Sequence, residues 1–169
     1  MKLFGQHRAE EKPQGGHHSL KAIPIFTDLS RRELASVERI LHRREYQKDE
    51  VVFRQDEPGI GMYIIESGRV GIISDPGGVE LSVLGDGDFF GELPLLDSAP
   101  RSATAIARTH CRILGFFQPD LFSLIERDPR LGVKLVMHLA TIIGSRLRAA
   151  DENVRRARLE LEQARRTEA

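Results

Sequence analysis

The spacing of apolar residues changes twice along the chain, and this change constrains the fold more than any other feature. Between Tyr46 and Phe117 the apolar residues form short runs of β-branched and aromatic side chains, separated by turn residues. These runs read VVFRQ, GMYIIESG, RVGIIS, VELSVLG and CRILGFF. The sequence DPGG at 75–78 predicts a hairpin turn between two of them. Several short strands at this spacing predict a β sandwich or barrel rather than a parallel sheet.

Helical periodicity flanks the strand region on both sides. The stretch SRRELASVERILHRR, residues 30–44, has one apolar face, and either Asp28 or Ser30 is placed to cap it. The stretch PDLFSLIERDP, which begins at Pro119, predicts a short helix. A long helix is predicted from Pro129 to about Arg166. The chain is therefore predicted to be α+β and mainly β, with an N-terminal helix and C-terminal helices.

The long C-terminal helix carries apolar residues at heptad spacing. One register contains Val133, Ala140, Leu147, Val154 and Leu161, and the other contains Val136, Ile143, Ala150, Ala157 and Ala164. A helix that continues past its own core usually packs on a partner helix, so a coiled-coil-like homodimer is expected. In a parallel pair Arg146 would face Asp151 and Glu160 would face Arg165. Alanine at three successive core positions weakens this seam, so a solvated helix with a frayed end remains the alternative.

Composition narrows the possible partners and locations. The 25 Lys and Arg residues balance the 25 Asp and Glu residues, so no net field favours DNA or an acidic membrane. The mixed charges of VRRARLELEQARR are typical of a solvated helix face, which makes a DNA-binding regulator a weak alternative. The single Cys111 excludes an internal disulfide and favours the cytoplasm. No signal peptide or membrane span is expected, because Lys134 and His138 interrupt the most apolar stretch.

The sequence contains no recognisable set of catalytic or metal-ligating residues. Neither His110 nor His138 has a carboxylate or a cysteine at metal-ligand spacing. His17 and His18 lie in or next to residues 1–17, a charged, Gly- and Pro-containing segment that we expect to be a flexible arm. We therefore expect no catalytic activity and no bound metal.

The segment FFGELPLLDSAPRSATAIA, residues 89–107, places charged residues among apolar and small ones. Gly91 lies at a predicted strand-to-helix turn, where a ligand could approach the backbone and where free N–H groups favour an anion. Arg101 suits phosphate oxygens, Ser102 adds a hydroxyl donor and Ala103 leaves room for the ligand. Glu92 would accept hydrogen bonds from sugar hydroxyls. This set predicts a site for a phosphate beside a ribose.

Each charged residue of this segment also has a purely structural interpretation. Glu92 could be an acidic residue in the first turn of a helix, where such residues are common. Arg101 could form an internal bridge to Glu92 or Asp97.

The segment as a whole resembles the phosphate-binding cassette of the cyclic nucleotide-binding domain family. The resemblance covers residues from about Leu20 to Val154, including LKAIPIFTDLSRREL and GMYIIESGRVGI. It implies an eight-stranded jelly-roll β barrel flanked by helices, with the long last helix acting as a mobile lid. It divides the chain into the arm at 1–17, the binding domain at 18–128 and a lid and dimerisation helix with a charged tail at 129–169.

The resemblance also implies roles for individual residues. Gly91 and Leu93 would approach the ligand through their backbone, and Glu92 would hold the ribose 2′-hydroxyl. Arg101 would pair with the cyclic phosphate, with Ser102 and the Ala103 amide completing the cradle. The remaining implied contacts are Ile72 and Leu81, which would line the base, and Arg146, which would lie near the ribose. Because Arg146 is also the candidate for the inter-chain pair with Asp151, the two roles compete.

Some residues depart from the family pattern. Ala150 and Asp151 replace a Thr-Ser pair that touches adenine in the catabolite activator, so the choice between cyclic AMP and cyclic GMP stays open. Asp49 and Asp56 stand at turns where the family usually has glycine, which is tolerable because Asp enters left-handed conformations readily. After the lid helix only a charged tail follows, so we expect no helix-turn-helix and no nucleic-acid partner.

These features predict a non-catalytic cyclic nucleotide sensor that acts in signal transduction. Ligand binding would change the packing of the C-terminal helices, and a protein partner not identified by the sequence would detect that change. The alternative is a structural or interaction protein with a vestigial pocket that acts through its dimerisation helix.

Overall fold

The computed structural model describes residues 20–75, 77–97 and 99–167. The flexible arm predicted at 1–17 and the residues His17, His18, Pro76 and Ser98 lie outside the described residues.

The strand region forms two antiparallel four-stranded sheets. The strands are β1 (His42–Tyr46), β2 (Val51–Phe53), β3 (Gly61–Ser67), β4 (Val70–Ser74), β5 (Val79–Leu84), β6 (Phe89–Phe90), β7 (Thr104–Ala107) and β8 (Cys111–Phe117). The first sheet has the order β1-β8-β3-β6 and the second the order β2-β7-β4-β5. The expected number of eight strands is confirmed for the described residues. The jelly-roll barrel that the resemblance implies is not closed in the described residues, because the strands pair within two separate sheets.

Three α-helices flank the sheets in the described part of the chain: α1 (Arg31–Glu38), α2 (Gln118–Arg127) and α3 (Pro129–Thr167). Short 3₁₀ turns occupy Leu20–Ala22, Pro24–Phe26 and Leu93–Leu95. Ser30, rather than Asp28, caps α1. Its hydroxyl accepts a hydrogen bond from the Glu33 N–H while the Glu33 carboxylate accepts one from the Ser30 N–H, which is a capping box.

The predicted first helix was too long at its C-terminal end. The helix ends at Glu38, and His42–Tyr46 form β1, which pairs antiparallel with β8 from His42↔Gly115 to Tyr46↔Cys111. The ladder to β8 overrides the local helical pattern, since it satisfies the backbone and buries Tyr46. The short strand β7 and the start of β1 gave no separate strand pattern in the sequence, whereas β6 forms directly before Gly91, where a strand was predicted.

The first sheet is the middle layer of the fold. Its outer face packs against the helices and the N-terminal turns through Phe26, Met62, Phe116, Leu121 and Leu135, all buried. Its inner face packs against the second sheet through a smaller cluster that includes Tyr46, Ile65, Val70, Phe90, Ala105 and Ile113. The β4–β5 hairpin predicted from DPGG is present, with Gly77 and Gly78 at positive φ.

Helix α3 is attached to the core only through its first part. Leu131, Leu135 and Leu139 are buried, whereas Val133, Leu147, Val154 and Leu161 are each at least half exposed. The structure contains one chain and does not test the predicted coiled coil. No helix in the described ranges has the length and hydropathy needed to cross a membrane.

Glu33 connects the start of α1 to α3, and this link makes stability depend on pH. Its carboxylate lies 2.8 Å from the Lys134 Nζ atom. The hydrogen bonds from Lys134, the Ser30 N–H and the Ser30 hydroxyl lower the pKa of Glu33 from 4.5 to about 2. A carboxyl group whose pKa is lower in the folded state stabilises the fold above its unfolded pKa, and this contribution is lost as the pH falls.

We expect Glu33→Gln to lower the free energy of unfolding at pH 7 and to reduce the loss of stability on acidification from 4.5 towards 2. Urea unfolding measured across that interval checks this expectation. Glu38→Gln, at the exposed end of the same helix, is the control and should follow the wild-type pH profile. Parallel pH profiles for wild type and Glu33→Gln would contradict the assignment.

Candidate functional site

The cassette segment leaves the first sheet at Gly91 and returns to the second sheet at β7. Gly91 has φ +66°, and a Cβ atom there would lie 2.6 Å from the Arg101 Nη1 atom and 3.3 Å from the Phe53 ring. Leu93–Leu95 follow as one 3₁₀ turn rather than as an α-helix. Glycine at this position therefore allows both the left-handed backbone and the close approach of Arg101.

Arg101 is almost completely buried, with 4% of its surface exposed. Its Nη1 atom donates a 2.9 Å hydrogen bond to the Gly91 carbonyl oxygen. Its guanidinium carbon lies 4.1 Å above the Phe53 ring and 5.4 Å from the Tyr63 ring centre. Burial lowers the pKa of Arg101 from its ordinary value. Its Nε atom is buried and has no hydrogen-bond partner among the described residues.

The predicted alternative, an internal bridge from Arg101 to Glu92 or Asp97, is not formed. Glu92 pairs with Arg146, and the Asp97 carboxylate accepts a 3.2 Å hydrogen bond from the Ala99 N–H. Two cation–π contacts contribute to holding the Arg101 guanidinium, but they do not neutralise its charge. Arg101 is thus a buried cation with no carboxylate within 4.0 Å among the described side chains, and one of its donors is free.

Glu92 is also buried, and a side chain from the long helix reaches it. The Arg146 Nη1 atom lies 2.5 Å from the Glu92 Oε1 atom, and Arg146 Nη2 donates to the Phe89 carbonyl oxygen at 3.2 Å. The guanidinium carbon of Arg146 lies 4.5 Å from the centre of the Phe89 ring. Of the two competing roles predicted for Arg146, the structure favours the one near the cassette, since its side chain contacts Glu92 of the same chain.

The two residues after Arg101 supply backbone donors. Ala103 is buried and the Ser102 side chain is exposed. In the described part of the chain, no acceptor receives a hydrogen bond from the N–H of Ser102 or of Ala103. Successive free N–H groups beside a guanidinium form a concavity that suits an anion.

The other predicted ligand contacts are Ile72, Leu93 and Leu81. Ile72 is half-buried and packs against the same inner cluster as Phe53 and Tyr63. Leu93 is 44% exposed. Leu81 is 52% exposed, on β5 near the point where the register with β4 shifts. The contacts of these side chains with a ligand stay predictions.

The sequence interpretation missed the aromatic residues around Arg101. Phe53, Tyr63 and Phe90 form a cluster with ring centres 5.6–5.8 Å apart. Phe53 and Tyr63 each lie in a predicted strand run, yet a strand pattern alone does not show which face lies next to the cassette. The sequence spacing of Phe53 and Arg101 carries no signal of their contact, which depends on the pairing of β2 with β7.

The arrangement matches the chemistry of a small anion that also carries hydroxyl groups. A buried guanidinium donor and two backbone N–H groups can bind phosphate oxygens. The Glu92 carboxylate, which follows Gly91 in the chain, can accept hydrogen bonds from sugar hydroxyls. The described residues contain no group of three or more His, Cys, Asp or Glu side chains that could hold a metal ion.

Comparison with known proteins identifies the family. The family model for the cyclic nucleotide-binding domain matches residues 43–128, which include the whole cassette. The chain belongs to this family. The resemblance that the cassette sequence indicated is therefore confirmed.

The similar proteins differ in their overall organisation. The chain is 37% identical over 136 residues to the cyclic AMP receptor protein of Thermus thermophilus, covering 78% of this chain and 61% of that protein. It is 34% identical over 110 residues to a cyclic nucleotide-gated potassium channel of Rhizobium etli, covering 65% of this chain and 30% of that protein. The chain thus spans less than two thirds of either relative.

The three-dimensional fold agrees with this assignment. The crystal structure of the Thermus thermophilus catabolite activator protein superposes with a TM-score of 0.70 at 34% identity, covering 78% of this chain and 61% of that chain.

We expect Gly91→Ala to lower the free energy of unfolding by about 1–2 kcal/mol, since an alanine in the left-handed region is strained and its Cβ meets Arg101. Thermal unfolding measures this cost. Gly85→Ala is the matched control, because a Cβ atom at Gly85 meets no atom within 4 Å. Equal melting temperatures for the two variants would contradict the inferred constraint at Gly91.

Proposed function

We propose that this chain is a non-catalytic regulatory module that binds cyclic AMP or cyclic GMP at the cassette. The observation that carries the proposal is the buried Arg101 guanidinium with its free Nε donor. A buried cation without a counter-ion is costly, and a phosphate anion would neutralise it. The free N–H groups of Ser102 and Ala103, next to Arg101 in the chain, would bind the same anion.

The proposed ligand contacts follow from these positions. Arg101, Ser102 and Ala103 would bind the cyclic phosphate, while the backbone at Gly91 and Leu93 would lie along the ligand. Glu92 would accept a hydrogen bond from the ribose 2′-hydroxyl, using the oxygen that Arg146 leaves available. The base would lie against Ile72 and Leu81.

Arg146 provides a physical link between the ligand and the long helix. The Glu92 carboxylate that would bind the ribose already holds Arg146 of α3. A ligand that shares or displaces this contact changes the interaction between α3 and the cassette. A ligand shifts a conformational equilibrium only by its different affinity for the two states, and this contact provides such a difference. We propose residues 18–128 as the binding domain and 129–169 as its lid.

The exposed stripe on α3 supports a homodimer through this helix. Val133, Leu147, Val154 and Leu161 are between 52% and 62% exposed and follow the predicted heptad spacing. A second copy of the same helix would cover these side chains. The dimer angle or register would then report the state of the cassette to a protein partner that is not identified.

Other parts of the prediction rest on sequence alone. A location in the cytoplasm and the absence of a nucleic-acid partner stay predictions. The alternative function, an interaction protein with a vestigial pocket, is less well supported. A pocket without a ligand gains nothing from an unpaired buried arginine.

Calorimetric titration with cyclic AMP and with cyclic GMP tests the proposed ligand. We expect binding by the wild type, and Arg101→Ala should weaken it at least roughly tenfold, because a charge-assisted hydrogen bond contributes about 1.5–3 kcal/mol. Arg69→Ala, an exposed arginine outside the cassette, is the control and should bind like the wild type.

The same titration includes Arg101→Lys, which keeps the charge and loses the planar fork. Binding intermediate between wild type and Arg101→Ala is expected. If the wild type binds neither nucleotide, the cassette is not a cyclic nucleotide site and the interaction-protein alternative is favoured.

Sedimentation equilibrium tests the proposed dimer. We expect Val154→Glu to dissociate it, since a charge in the apolar seam is unfavourable. Leu159→Glu is the matched control, because Leu159 is exposed to a similar extent on the same helix and lies outside both heptad registers. A wild-type protein that sediments as a monomer at all concentrations would overturn the dimer.

A further inference from the structure

Three polar residues, at or next to the ends of three different strands, meet at the C-terminal end of the cassette. The Thr104 hydroxyl donates a 2.9 Å hydrogen bond to the Asp75 carboxylate and accepts a 2.8 Å hydrogen bond from the Gln55 N–H. The Gln55 side-chain amide donates to the Asp75 carbonyl oxygen at 3.0 Å and accepts from the Asp75 N–H at 2.8 Å. We call Gln55, Asp75 and Thr104 the polar clasp.

The polar clasp is buried at Thr104 and connects three strands. Thr104 is 4% exposed, so its hydroxyl is removed from water and depends on these two partners. Gln55 follows β2 and Asp75 follows β4, while Thr104 begins β7. The clasp therefore ties the start of β7 to the β4–β5 hairpin and to the end of β2 at one point.

The N-terminal end of the same short segment is fixed by backbone hydrogen bonds. The Arg101 N–H donates to the Glu57 carbonyl oxygen and the Asp56 N–H donates to the Arg101 carbonyl oxygen, both at 2.9 Å. The Glu57 carboxylate accepts a 2.9 Å hydrogen bond from the Arg54 N–H and closes this turn, in which Asp56 has φ +65°. Arg101 and Thr104 are thus both anchored.

The two residues between these anchors are Ser102 and Ala103. Their N–H groups are the ones that have no acceptor among the described residues. The direction of these two donors is determined by the anchors on either side, because two residues between fixed ends have little conformational freedom. A fixed donor needs no reordering when an anion binds, which increases affinity.

We propose that Gln55, Asp75 and Thr104 are positioning residues for anion binding, although none of them touches the anion. The clasp orients the Ser102 and Ala103 N–H groups toward the phosphate held by Arg101. This inference rests on the proposed cyclic nucleotide site and adds three residues outside the cassette contacts. It assigns the Thr104 hydroxyl a role in ligand affinity that its burial alone would not require.

Calorimetric titration with cyclic AMP and cyclic GMP, applied to the full chain, tests the clasp through Thr104. Thr104→Val keeps the shape of the side chain and removes the hydroxyl, and we expect roughly tenfold weaker binding. Thr104→Ser restores the hydroxyl, and we expect affinity within about twofold of the wild type. Rescue by serine separates the hydrogen bonds from the packing of the side chain.

A second pair of variants tests the same clasp from its other side. Asp75→Asn keeps an oxygen that can accept from Thr104, whereas Asp75→Ala removes it, so only the alanine variant should lose affinity to the extent of Thr104→Val. Thermal unfolding of each variant shows whether it folds. If Thr104→Val does not fold, the two Asp75 variants still test the clasp.

Backbone amide NMR shifts of Ser102 and Ala103 during the titration provide a direct readout. Ligand-induced shifts at both amides are expected in the wild type and in Thr104→Ser, and reduced shifts in Thr104→Val at saturating ligand. Equal affinities and equal shifts in wild type, Thr104→Val and Asp75→Ala would overturn this inference while leaving the proposed function intact. If the wild type binds neither nucleotide, the proposed function fails and the positioning role fails with it.

Discussion

The cassette is organised around one unfavourable fact, the burial of the Arg101 cation with no carboxylate partner among the described residues. The Phe53 and Tyr63 rings and the Gly91 carbonyl group contact the guanidinium, and the Nε donor stays free. Burial lowers the pKa of Arg101, which shows the direction of the desolvation cost. The glycine at 91, the aromatic inner faces of β2 and β3 and the anchored segment at 101–104 are all arranged around this one side chain.

The buried charge of Glu92, unlike that of Arg101, has a partner of opposite sign. Glu92 is buried and compensated, but its partner Arg146 comes from α3 and is 46% exposed. A pair that is half open to water contributes little net stability and is easily exchanged for another partner. Arg101 therefore provides a fixed charge that needs an anion, while Glu92 and Arg146 provide a contact that can change at small cost. In the proposed function, Arg101 would bind the ligand, and the contact between Glu92 and Arg146 would respond to it.

Much of this arrangement could be predicted from the sequence, and the remainder depended on contacts between distant residues. The spacing of apolar residues predicted β2, β3, β4, β5 and β8 and both C-terminal helices, and the residue types of the cassette made Gly91, Glu92 and Arg101 candidate site residues. It failed at β1, where pairing with β8 overrides a helical pattern. It also gave no sign of Phe53, Gln55 or Asp75, because their proximity to Arg101 and Thr104 arises from the sheet register.

The hydrogen bonds around the cassette fall into two groups. Residues 101–104 are held by backbone and buried side-chain bonds to the turn at 54–57 and to Asp75. Residues 91–93 instead hydrogen-bond to other residues of the cassette and to Arg146 of α3, beyond which the helix carries mostly exposed residues. In the proposed function, a ligand that contacts both Arg101 and Glu92 would add to the Arg101–Gly91 hydrogen bond that already joins the two groups. The proposed coupling to α3 depends on this second group, because the Glu92 carboxylate that would bind the ribose is also the one that pairs with Arg146.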